Sequence, residues 1–297
     1  SFVLPDTQTG TTQQLVVAIV FEATVVDVRV WGTEQSGALA LSTGSTLTVA
    51  ANAESVLVFR GRKRQKGLYV TVSSRQTPVS ASVRVIRTEA EPKGSDYAAA
   101  AGEASKELVF PAVAEGDKAT LTVYAAGSGS LTAAWVGAAG SPSISIRATA
   151  SPPSIWAMFP RSVALKITAD TKVTADVTVS RDGNGNQSDF ALIGAAQTDD
   201  RSAAVIPSGL DGRVSVVNAS LSSKQMHMTG YDDKGAAVGE TITVDAGTAA
   251  SFDASDLGKN IFAVAADGKG LAWGVRLSSS AVSDAKLAGI ATSVPRR

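Results

Sequence analysis

The chain has 297 residues, 27 Lys+Arg balanced by 27 Asp+Glu, a single His and no Cys. Without Cys there is no disulfide scaffold, thiol nucleophile, CxxC redox pair, haem attachment or Cys-ligated zinc or iron–sulfur centre. One His removes most remaining zinc chemistry, zero net charge argues against general nucleic-acid affinity, and 44% hydrophobic residues predict real cores rather than disorder.

Along the chain, alternation with period two predicts half-buried strands. The first third opens on Val3-Leu4-Pro5. A strand follows from Leu15, then one ending at Trp31 before a glycine turn, then "TLTVA", "LYVTV" and "SVRVI", the last with Val79, Val83 and Val85 in alternation. Ser95-Asp96 then leads an Ala-rich stretch, Ser95–Glu107, that reads as one or two capped helical turns inside a docked connector, Thr88–Lys106. The second third repeats the order: Val109-Phe110-Pro111, a strand from Leu121, Trp135, then Val173, Val177 and Val179, then Ser188-Asp189 in a second connector, Gly183–Ser202. The last third runs Val205-Ile206-Pro207, Val214, Tyr231, then Leu271, Val275 and Leu277, then Ser283-Asp284. The three prolines are 106 and 96 residues apart.

Five landmarks recurring three times in one order predict an all-β protein of three tandem pseudo-repeated modules, 1–106, 107–202 and 203–297. Each is the size of a small β-sandwich, arranged in tandem or as a compact pseudo-threefold body. Propeller-like blades are the alternative. The longest apolar run, Leu15–Phe21, is too short to span a membrane, and no basic and apolar leader opens the sequence at Ser1, so a signal peptide is expected to be removed or to lie outside this chain.

The stretches "GSDYAAAAGEASKELVFPAVAEGDKATLTVYAAGSGSLTAAWVG" and "RSAAVIPSGLDGRVSVVNASLSSKQMHMTGYDDKG" resemble a family of large secreted actinobacterial proteins of unknown function. The family's Val-Val-Asn element is kept only as Val216-Val217-Asn218. The resemblance implies export to the cell envelope and brings no known activity.

Chemical signatures are sparse. His227 lies in "KQMHMTG", where alternation sets it opposite Met226 and Met228 and toward solvent, a poor place for a triad base. Asp182, Asn184 and Asn186 begin like a calcium loop, but Gln187 and Ile193 stand where Gly and Glu are needed. Gly127-Ser-Gly-Ser lacks the Lys of a phosphate loop. No catalytic residue, metal or cofactor is expected. Two surface features stand out. Arg60, Arg62, Lys63, Arg64 and Lys66 place five cations in a seven-residue loop suited to anionic headgroups or an acidic glycan. Trp156, Met158 and Phe159, in a Pro-bounded apolar segment, read as a contact patch, whereas Trp135 and Trp273 read as core. The expected function is that of a non-enzymatic, extracytoplasmic envelope protein acting as an interaction or scaffold module for another envelope protein, such as a membrane glycosyltransferase or assembly factor. A glycan-binding adhesin-like module is the first alternative, and a hydrolase with unrecognised carboxylates the second.

Overall fold

The computed structural model describes the chain apart from positions 8–9, 20, 35–36, 42–43, 60–64, 90–92, 115, 138–142, 149–153, 159–162, 183–187, 197–200, 279–288, 293 and 296–297, and apart from the side chains at 148, 154–156, 182, 289–292 and 294–295. Among the described residues there are strands and one short 3-10 turn, Ala254–Leu257, and no α-helix.

The first eight strands are β1 (Phe2–Leu4), β2 (Thr11–Ile19), β3 (Thr24–Gly32), β4 (Thr46–Val49), β5 (Ala53–Phe59), β6 (Leu68–Ser74), β7 (Ser80–Arg87) and β8 (Gly94–Ala98). They form two antiparallel sheets, ordered β1-β6-β3-β4 and β5-β2-β7-β8. Alternate side chains of both, among them Leu4, Val28 and Val70 from one and Leu15, Val83 and Val85 from the other, meet in a single core. That is the sandwich solution for strands with one apolar face.

The same order returns in the next set: β9 (Ser105–Pro111), β10 (Lys118–Ala125), β11 (Gly129–Trp135), β12 (Ser143–Ala148), β13 (Ser154–Met158), β14 (Ala164–Asp182) and β15 (Ser188–Gly194). Here β14, 19 residues long, does the work of both β6 and β7. Its first half lies between β9 and β11, with β12 beyond; its second half lies between β10 and β15, with β13 beyond. The register shifts between Thr168 and Val173, where the strand passes from one layer to the other. One continuous strand thus joins both layers into a single seven-stranded sheet around one core.

The last set comprises β16 (Arg201–Val205), β17 (Asp211–Val217), β18 (Lys224–Asp232), β19 (Ala237–Val244), β20 (Ala249–Asp253), β21 (Ile261–Asp267), β22 (Ala272–Ser278), β23 (Gly289–Thr292) and β24 (Val294–Pro295). Its sheets run β24-β16-β21-β18-β19 and β20-β17-β22-β23, the first order with one added edge strand.

In the central strand pairs the repeat holds to the residue. Leu15 lies opposite Val83, Leu121 opposite Val177 and Val214 opposite Val275, and all six are fully buried. The cores lie between paired layers, not along the blades of a ring, so the sandwich expectation holds and the propeller alternative does not.

Three expectations need correction. Ser95–Glu107 forms no helix: β8 and the start of β9 occupy it, because Ala98 turns inward against Val83 while Ser95 and Tyr97 face out. The two connectors are not loops alone, since each contributes an edge strand, β8 and β15. The aromatic landmark is not equivalent in the three units. Trp31 and Tyr231 face outward, whereas Trp135 is 3% exposed in its core. Trp135 sits opposite Leu165, which corresponds to the place of Gly32 opposite Leu68, so a one-residue offset sends it to the other face.

The Val-Val-Asn element has a physical basis in the third sandwich. Asn218 is fully buried; its Nδ2 donates to the carbonyls of Ser222 and Val244, both at 2.8 Å, and its Oδ1 accepts from the Ser220 amide and hydroxyl. One side chain thus satisfies the backbone of the turn leading into β18. Asn218→Ala should cost about 2–3 kcal/mol in urea unfolding, since it orphans buried carbonyls; a loss below about 0.5 kcal/mol would show that the turn holds itself.

Candidate functional site

The sandwiches are joined by a face that each presents to its successor, and the residue two before each landmark proline marks it. Val3, Val109 and Val205 occupy equivalent outward positions, opposite Tyr69, Lys166 and Ala263. Their exposures are 3%, 9% and 61%. The first two are covered by the next sandwich, and the third is open.

At the first junction Trp31 and Tyr69, paired across β3 and β6, meet Tyr124 of β10. Tyr69 and Tyr124 stack at 3.7 Å between centroids, with Trp31 tilted against both. Beside them β8 lies against β15, and β15 serves two cores at once. Phe190 and Leu192 enter the first core while Ala191 and Ile193 enter the second. The Arg87 guanidinium lies 4.4 Å from the Phe190 ring centre and pairs with Asp6 at 3.0 Å.

At the second junction the elements recur. β9 meets β17 and β22, and β23 lies against β15 as β15 lies against β8. Val109, Val136 and Ala164 form a small core with Val217 and Ala272, the residues at the places of Tyr124 and Thr174. Pro111 lies so close to Gly274 that a Cβ there would sit 3.0 Å from the proline Cγ, so the glycine lets the two sandwiches approach without a shift of the proline. Asp117, whose side chain is completely buried, binds both guanidinium nitrogens of Arg276 and accepts from Arg181 at 2.7 Å.

On the third sandwich no other sandwich covers the equivalent face among the described residues. Its cross-strand rows read Val205–Ala263–Tyr231–Ala237 and Ala203–Ala265–Thr229–Gly239, and only the next row, Arg201–Asp267–His227–Thr241, carries charge. Two uncharged rows, small side chains apart from Tyr231 and Val205, make this a surface of the kind that contacts another protein.

Three carboxylates gather at the first junction. Burial lifts Asp96 to about 6, against the amides of Leu192 and Tyr97 that hydrogen-bond it and pull the other way. Burial likewise lifts Asp189 to about 6, and it pushes Asp176 well above the carboxylate range, with the charge of Asp96 adding to it. The Oδ1 of Asp176 is buried with no hydrogen-bond partner. A cleft of about 660 Å³ lies nearby, between the second and third sandwiches, lined by Glu103, Glu107, Thr174 and Lys224 among others; the three acids are not in its wall.

The residues singled out from sequence are scattered. Arg60, Arg62, Lys63 and Arg64 lie outside the described residues, as do Phe159 and the side chain of Trp156. Lys66 is exposed, and its amide donates to Thr33 Oγ1, two residues beyond Trp31. Met158 is 2% exposed within the second core, which removes it from the contact patch: β13 pairs with β10 and turns this residue inward. His227 is exposed, 3.3 Å from Thr241 Oγ1, with Met226 and Met228 buried beneath it. Trp273 is core, its indole N–H donating to Ser202 Oγ at 2.6 Å. Among the described residues no group of three His, Asp or Glu is placed to hold a metal, and no helix is long and apolar enough to cross a membrane.

Phe190, Asp117 and the Val205 face did not stand out in the sequence. A signal existed for the first: Phe190-Ala-Leu-Ile193 is a continuous apolar run, the mark of a strand buried on both faces.

The profile of a family of unknown function, DUF5719, matches residues 1–255. The chain belongs to that family. The match takes in the first two sandwiches and the third as far as Ser255. No curated protein and no solved structure matches the chain.

Proposed function

We propose that this DUF5719 protein is a non-enzymatic, extracytoplasmic scaffold that holds another protein of the cell envelope, with a membrane glycosyltransferase or assembly factor as the partner class. The observation that supports it most is the repeated docking face. The chain uses one surface twice to hold a neighbour, and presents the same surface a third time with Val205 61% exposed. The junctions contain buried aromatics, a shared strand and a buried ion cluster, so the open face stands on a firmly held body. Firmness favours binding, because little order has to be imposed on the scaffold when the partner arrives.

The test is a charge placed on the face. Val205→Arg with Ala265→Glu changes two outward side chains and should alter stability by about 0.5 kcal/mol or less. Tagged protein recovered from its solubilised native envelope should then lose a partner that the unaltered chain retains. Recovery of the same partners in the same amounts would reject this face as the binding surface.

A further inference from the structure

The second side of each junction is repeated as well, and among the described residues no other sandwich covers its first copy, whose Ser82 and Arg84 are half-buried. The residues that β22 turns toward the second sandwich are Ala272, Gly274 and Arg276, flanking Val275. The residues of β7 that flank Val83 in the same way are Ser82 and Arg84, and Arg84 therefore stands where Arg276 stands. In the third sandwich Arg276 is consumed by Asp117. In the first, the Arg84 guanidinium lies 5.9 Å from the ring centre of Tyr97, which is 56% exposed, and its Nε is buried without a partner. At the other end of the chain, the turn Pro207–Leu210 replaces the turn Ala114–Asp117 that carries the ion cluster; both close with an amide-to-carbonyl bond. The next residue, Asp211, is an exposed carboxylate, and Asp233 and Asp253 line the same groove, with Arg213 paired to Asp253. The third sandwich thus offers the carboxylates of Asp211 and Asp233 on the rim of this groove, and the first sandwich offers an arginine beside an exposed tyrosine.

We infer that the open face of the third sandwich receives the first sandwich of a second copy of this chain, by the junction already formed twice within it. The inference rests on the reading of this face as a docking surface, and puts a second copy of the chain there in place of a different envelope protein. Arg84 of one copy meets the Asp211 rim of the next, and Val205, Ala263 and Tyr231 take the covered role of Val3, Tyr69 and Trp31. The contact is heterologous, so it leaves one open end of each kind and extends to further copies. The continuity with two internal junctions, together with the opposed charges, favours a second copy over an unrelated protein.

Sedimentation velocity over a wide concentration range, at low and at high salt, tests this. The unaltered chain should grow beyond monomer with concentration, and less so at high salt. Val205→Arg blocks one end and Arg84→Glu the other, so each alone should be monomeric. Mixed in equal amounts they should give dimers and nothing larger, because one intact end of each kind remains. Since the chain has no cysteine, Asp211→Cys and Arg84→Cys chains mixed under mild oxidation should form a disulfide dimer that neither forms alone, which covers a poorly folding charge variant. A chain that stays monomeric throughout, or variants that stay monomeric when mixed, overturns the inference. If that happens while the Val205 and Ala265 changes still remove an envelope partner, the scaffold reading stands and only its occupant is wrong.

Discussion

Replacing Asp117 with Ala should remove about 3–5 kcal/mol of stability and loosen the third sandwich from the second. Asp117 has no exposed side-chain surface, and Arg276 is only 9% exposed, so removing the carboxylate leaves a guanidinium charge buried without compensation. The Ala114 amide also loses its acceptor, at 3.1 Å. Arg181 is 28% exposed, and without it Asp117 keeps its two-point pair with Arg276, so Arg181→Ala should cost only about 1 kcal/mol. Urea unfolding of the single variants and of Asp117→Ala with Arg276→Ala checks the argument. The double variant should be more stable than Asp117→Ala alone, because the uncompensated cation has gone. A cost below about 1 kcal/mol for Asp117→Ala would mean that water reaches the cluster.

The first junction should respond to pH in the direction opposite to ordinary acid unfolding. Asp96 and Asp189 titrate at about 6 in the folded chain, and burial raises Asp176 well above its ordinary value, whereas an unfolded aspartate titrates near 3.8. Between those values the folded chain binds more protons than the unfolded one, so stability falls as pH rises. The stabilisation is complete below about pH 4 for Asp96 and Asp189 and is lost as pH climbs through about 6, and the raised Asp176 acts in the same direction. Between pH 7.5 and pH 5, Asp96 alone accounts for about 1.4 kcal/mol, and Asp189 for less because water screens it. Asp176→Asn removes an ionisable group whose buried oxygen has no partner, and should raise stability at pH 7.5 by about 1–2 kcal/mol while flattening the profile. Thermal unfolding across pH 5 to 8 measures both. A profile that rises with pH, or an Asn variant less stable at pH 7.5, would show that the acids are solvated or paired in solution.

How far the sequence carries can be judged residue by residue. Alternation located the strands, and the spacing of Val83, Val177 and Val275 placed them in matching buried registers, because burial of one sheet face imposes period two. The same logic set His227 outside and its flanking methionines inside. It failed where one side chain serves two bodies. Phe190 and Leu192 point away from the core of their own sandwich, so they break alternation, and only the completed junction shows where they go. Asp117, Arg181 and Arg276 are far apart along the chain, and nothing local marks them as partners. Val3, Val109 and Val205 read alike in sequence, and only the packing of the sandwiches shows that the first two are covered. Trp135 shows the converse limit: an aromatic near a strand end looks like Trp31 until cross-strand register assigns it to the other face.

The central claim is that the third sandwich carries an open copy of the internal docking face and that another protein occupies it. Photo-cross-linking from a benzoyl-phenylalanine at position 205, in the native envelope, tests it most directly. The same probe at Leu221, fully exposed but off the face, serves as the comparison. A discrete cross-linked species from position 205, absent from position 221, is the expected result. No cross-link from position 205, or the same product from both positions, would contradict it.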